Sequence, residues 1–232
     1  MLKRIWMPLM ALVIFGCSSD NDSTEIKKQA FTKSDDFTIK DFAYTHCVLT
    51  KDIMDVWTNE VESGREIKEE VIYQIQSAKT ESEIKSILEN NGVSKENTLK
   101  IVELHIQQID NFKNFIDKNK EFSTLETKAQ EQAISNAVSE MITLNPGNIF
   151  HPGDIYEPNV HPCNRDKRLG LRDCFEDASV TMGIGLIGGI WTCGISILSG
   201  TLVAGVQAAL CERRVLRAWH NCLDDAGIVI HI

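Results

Sequence analysis

The chain has 232 residues, 43% hydrophobic and 25% charged, with 33 Asp+Glu against 24 Lys+Arg and a formal net charge of −9. That size and balance suit one or two globular domains. They argue against nucleic acid as the main partner, because phosphate binding needs a basic face.

Residues 1–16 open with Lys3 and Arg4, continue as the apolar run Ile5 to Phe15, and place a small residue before Cys17. This is the layout of a secretory signal peptide, with a run too short for a comfortable span. The ending Ile14-Phe15-Gly16-Cys17 resembles the lipobox of bacterial lipoproteins, with Phe15 bulkier than the residue usual there. The resemblance implies that the Cys17 sulfur is diacylated, palmitate included, and that Cys17 becomes the mature N-terminus and a lipid anchor in the outer membrane. An ordinary signal peptide with a spare cysteine is the competing reading. Asp20 and Asp22 follow closely, similar to the surface-export signal of some Gram-negative lipoproteins, which implies the outer face of the cell. Residues 17–34 are polar, lack a core pattern and read as a disordered tether.

Export decides the cysteine chemistry, since thiols oxidise outside the cytoplasm. With Cys17 lipidated, Cys47, Cys163, Cys174, Cys193, Cys211 and Cys222 remain, an even set that reads as three disulfides. The spacings contain no CxxC pair and fit no zinc finger.

Residues 35–144 read as an acidic helical bundle. The first helix runs from Ser34 to about Val61, with Ile39, Phe42, His46, Leu49, Ile53 and Val56 as its stripe and Cys47 and Trp57 flanking it. A second runs from about Arg65 to Ala78. The Thr80 to Glu83 capping box starts a short third, ended by Asn90-Asn91-Gly92. Ser94 caps a fourth that reaches about Lys120, and a Ser123 to Glu126 box starts the last, through Ile134, Val138, Met141 and Ile142. Residues 145–163 hold four of the five prolines and read as an ordered linker.

Residues 164–232 form the most distinctive part. Ala178 to Cys211 runs 34 residues without Asp, Glu, Lys or Arg, which suits two helices folded back on each other. Ser199-Gly200 is the turn signal. Gly185, Gly189 and Cys193 on one side and Gly200, Ala204 and Ala208 on the other are small residues at helical spacing that let backbones approach. A bend near Ser199 places residues opposite when their numbers sum to about 399; Cys174 with Cys222 gives 396 and Cys193 with Cys211 gives 404. Elimination then joins Cys47 to Cys163, one of 15 connectivities that six cysteines allow. The expected fold is all-α, a bundle followed by a disulfide-stapled apolar hairpin and a β-prone tail.

No GxSxG elbow, HExxH, phosphate-binding GxxxxGK[ST] or strand-linked GxGxxG is present. Gly183, Gly185 and Gly188 spell GxGxxG inside the hairpin and read as helix-packing glycines. His151 and His161, near Asp154, Glu157 and Cys163, are weak metal candidates in a loop whose dipeptides are also turn chemistry. His46 and His105 read as core histidines. No cofactor is expected, and nothing recommends an enzyme.

The glycine-rich, uncharged, cysteine-stapled segment from Cys163 to Cys222 resembles the C-terminal module of halocin-like bacteriocins. It carries no functional residues across, but implies a membrane-active protein working through its hairpin. The other reading is an envelope protein with a non-enzymatic structural or binding role. Its partners are the membrane, through the lipid, and a protein or the bilayer at the hairpin.

Overall fold

Seven α-helices and one 3-10 turn make up the described residues of the computed structural model, which are 37–62, 70–144, 161–188 and 194–228, and no strand occurs among them. The helices are α1 (Ile39–Glu62), α2 (Glu70–Ser77), α3 (Glu81–Asn90), α4 (Lys95–Lys118), α5 (Thr127–Leu144), α6 (Pro162–Gly188) and α7 (Gly194–Asp225). The protein is an all-α bundle followed by a disulfide-stapled helical hairpin. Residues 1–34, where a signal peptide and tether are expected, 145–160 of the expected linker and 229–232 of the expected tail lie outside the described residues.

Local chemistry sets most boundaries. Helix α1 begins four to five residues later than Ser34, because the Asp41 carboxylate accepts from the backbone N (2.8 Å) and the hydroxyl (2.7 Å) of Thr38. That closes a reciprocal cap on Thr38, and these hydrogen bonds hold the Asp41 carboxyl below its usual range. Thr80 caps α3 by accepting from Glu83 N at 3.1 Å, but Glu83 reaches back one residue further than a strict capping box, to Lys79 N. Ser94 caps α4 through Asn97 N. The expected box at Ser123 does not form: Phe122–Thr124 is a 3-10 turn and α5 starts only at Thr127. Gly92 and Gly227, at φ +91 and +70, provide the left-handed residues that end α3 and α7.

The expected stripes face inward. Phe42, Leu49, Ile53, Val56 and Trp57 of α1, Ile109 and Phe112 of α4, and Ile134, Val138, Met141 and Ile142 of α5 are buried. Helix α1 packs on α4, α5, α6 and α7, and α7 packs on α1, α2, α4 and α6. Bundle and hairpin therefore share one core, which runs from Phe42 to Ala209. Met182, Leu186, Leu202 and Val206 of the hairpin are completely buried in it. Each such side chain contributes about 1.5–3 kcal/mol relative to exposure.

The hairpin register differs from the sequence expectation. Cys163 bonds Cys222 and Cys174 bonds Cys211, with Cα separations of 5.8 and 5.7 Å. The pairings Cys174–Cys222, Cys193–Cys211 and Cys47–Cys163 are thus corrected: Cys47 is a buried free thiol, and Cys193 lies outside the described residues. Facing residues at the stapled base sum to 385, not to about 399. Helix α6 ends at Gly188 and α7 starts at Gly194, which leaves Ser199 and Gly200 inside a helix. Ser199 is satisfied there, its hydroxyl donating to Ser196 O at 3.1 Å. The hairpin also begins two residues before 164, with Pro162 in the first turn, where its missing N–H costs nothing.

Close approach uses Gly183 of the glycines expected, and adds Gly170. A Cβ on Gly170 would lie 2.9 Å from Val215, and one on Gly183 2.8 Å from Ile134. Gly185, Gly188 and Gly200 face open space. Within the GxGxxG, only Gly183 is a packing glycine.

Candidate functional site

Where the hairpin meets the bundle, the core is not purely apolar. His46, Thr50, Thr98, His105 and Gln108 are fully buried, drawn from α1 and α4. Their positions are helical repeats: Thr50 is one turn beyond His46, and Thr98, His105 and Gln108 follow at seven and three residues. Each therefore lies on the inward stripe of its helix.

The seam is assembled from both sides. His46 Nε2–H donates to Ser179 O of α6 at 2.8 Å, which fixes the tautomer and leaves Nδ1 without a partner. Thr50 donates to His46 O at 2.9 Å, and Gln108 Nε2 donates to Thr50 Oγ1 at 2.9 Å. Both nitrogens of His105, Trp57 Nε1 and Gln108 Oε1 are buried without partners.

Two hairpin glycines receive the rings. A Cβ on Gly205 would lie 3.0 Å from Trp57 Nε1 and 3.3 Å from His105 Nε2, and one on Gly183 would lie 3.5 Å from His46 Nε2. Gly183 and Gly205 stand at nearly the same level of the hairpin. Both histidines are held neutral, chiefly by burial: His46 falls to about 4 despite the bond it donates to Ser179 O, and His105 falls to about 3, with His46 also lowering it. Burial pushes the Cys47 thiol up to about 12, with Ser179 opposing the shift.

A buried carboxylate anchors the far end of α1. Glu60 accepts from Ser94 Oγ at 2.8 Å, Asn97 Nδ2 at 2.6 Å and Ser94 N at 3.2 Å, so it locks the start of α4 to α1. The sequence reading passed over Glu60, Thr50 and Gln108. Their one signal was a polar residue recurring at stripe spacing.

Outside the seam, the stapled base of the hairpin is partly exposed. Trp219 Nε1 donates to Asn164 Oδ1 at 2.8 Å, and Lys167 Nζ sits 3.6 Å over the Trp219 ring. His161 caps the start of α6, its Nδ1 accepting from Cys163 N at 3.3 Å. His151 lies outside the described residues, as does Cys17. No group of three or more His, Cys, Asp or Glu gathers into a metal site among the described residues. An open hollow of about 560 Å3 between α2 and α7 is lined by Tyr73, Gln76, Gln207, Arg214 and Arg217. It pairs no nucleophile with a base.

No protein-family model, curated protein or solved structure matches this chain.

Proposed function

We propose that this chain is an exported protein of the bacterial envelope, anchored in the outer membrane through lipid on Cys17, with a non-enzymatic structural or binding role. The observation that carries this reading is the pair of disulfides, Cys163–Cys222 and Cys174–Cys211. Such bonds persist in oxidising compartments and are rare in the cytosol. The lipobox-like ending Ile14 to Cys17 supplies the means of attachment. The burial of Met182, Leu186, Leu202 and Val206 supports a structural use of the apolar hairpin.

Labelled palmitate fed to cells expressing the full chain tests the reading. Label on the wild type but not on Cys17→Ser, with the variant released from the membrane fraction, supports it. An unlabelled wild type sinks it.

A second reading is a bacteriocin-like or membrane-active protein working through the hairpin. Its support is that Ile195–Asp225 is long and apolar enough to cross a membrane.

A further inference from the structure

We propose that the open hollow between α2 and α7 is a binding site for a phosphate monoester, gripped by Arg214 and Arg217. This rests on the binding role given to the anchored protein above and names the ligand class for it.

One face of each helix builds the hollow. Gln207, Leu210, Arg214 and Arg217 follow at three-, four- and three-residue steps along α7, so they form a single row, and Ile72, Tyr73 and Gln76 of α2 close the other side. The space between is about 560 Å3. Sites for small molecules run from about 300 to about 1,000 Å3, so a ligand of that class fits.

Charge decides what the space takes. The chain is acidic overall, at −9, yet none of the described residues lining the hollow is Asp or Glu and two are arginines. Neither arginine is ion-paired to a described residue. Two cations three residues apart on one helix face repel each other, a cost that an anion bridging them removes. Arg214 Nε donates to Leu210 O at 3.3 Å, which ties that guanidinium to α7 and leaves its terminal nitrogens to a ligand.

Phosphate uses the pair better than carboxylate does. A carboxylate has two oxygens and is filled by one guanidinium fork, whereas a phosphate monoester has three and carries about −1.5 to −2 at neutral pH. The remaining lining suits what the phosphate is attached to. The Gln76 and Gln207 amides donate and accept, Ile72 and Leu210 offer apolar surface, and Tyr73 stands 73% exposed at the rim with its ring uncommitted to the core. A free sugar phosphate and the phosphate of a lipid headgroup share this chemistry.

Calorimetric titration of the full oxidised chain with glucose 6-phosphate and with dihexanoyl phosphatidic acid, a soluble lipid phosphate, tests the site. At least one should bind about tenfold or more tighter than glucose and glucuronate, and the tighter of the two names the source. Arg214→Gln and Arg217→Gln should each weaken binding about tenfold or more. Arg217→Lys should do nearly as much harm, because it keeps the charge and loses the fork. Both arginines are exposed, so the variants should keep the wild-type urea midpoint. Glucuronate bound as tightly as either phosphate overturns the phosphate assignment, and binding unchanged in Arg214→Gln/Arg217→Gln overturns its place in the hollow. No heat with either phosphate overturns the site, and if palmitate still labels Cys17 the anchored reading stands.

Discussion

Gly170 and Val215 face each other across the hairpin so closely that a Cβ on Gly170 would lie 2.9 Å from a Val215 methyl. Their numbers sum to 385, as do those of the two disulfides on either side. One register therefore governs the base from Cys163 to Cys174, and it is fixed by backbone proximity as well as by sulfur.

Removing either staple as a Cys→Ser pair should lower stability by about 4 kcal/mol, the loop-closure value for rings of this size. Denaturant unfolding of the oxidised protein measures it. Non-reducing peptide mapping of the wild type should recover Cys163 with Cys222 and Cys174 with Cys211; Cys174 joined to Cys222 would contradict the register.

Glycines of similar sequence context should respond with opposite sign. At Gly183 and Gly205 an added methyl meets Ile134 at 2.8 Å and Trp57 at 3.0 Å, so alanine should cost about 1–3 kcal/mol by overpacking. At Gly185 and Gly200 nothing is near, and alanine should stabilise by about 0.5–1 kcal/mol through helix propensity. Urea midpoints of the four variants give the comparison.

The Cys47 thiol is buried and pushed up to about 12, so little thiolate exists near neutrality. Iodoacetamide should leave it unmodified in the native protein and alkylate it fully in denaturant. Mass mapping that found Cys47 alkylated as fast natively as in denaturant would contradict its burial.

Two helix caps should differ in weight. Thr80→Ala removes a cap on an exposed helix and should cost about 1 kcal/mol. Ser94→Ala also withdraws a hydroxyl from the buried Glu60 carboxylate and should cost about 2–4 kcal/mol. Equal losses would mean that Glu60 is indifferent to Ser94.

Stability should fall in acid through the seam. The folded pKa values of His46 and His105, about 4 and about 3, lie below the ordinary 6.5. The unfolded chain therefore binds more protons below that value. The stabilisation is whole above about pH 6.5 and declines by up to about 1.4 kcal/mol per ring per pH unit until each folded pKa is passed. The difference between wild type and His46→Gln/His105→Gln, measured by urea unfolding at several pH values, isolates this part from carboxylate titration.

Much of the bundle was legible because helix stripes are local. Phe42 to Val56, Ile134 to Ile142 and the Thr80 and Ser94 caps follow from spacing alone. The hairpin register was not legible, because Ser199-Gly200 carries a turn signal that a helix also accommodates once the serine hydroxyl bonds to Ser196 O. The misplaced bend misassigned each cysteine pair. The seam was half visible: His46 stood out on its stripe, but its counterpart His105 on α4 and the two glycines that receive them are a tertiary match. Phe42 stacks on His46 from within the same stripe, which reads as ordinary packing until Ser179 is brought alongside.

Hydrogen exchange over α7 tests most directly the claim that its uncharged first half, Gly194 to Cys211, serves as the shared core of bundle and hairpin. At neutral pH the amides from Leu198 to Ala209 should be among the slowest in the chain, and they should lose protection below about pH 5 with the His46 and His105 seam. Fast exchange of this stretch at neutral pH, while α4 stays protected, would contradict the account.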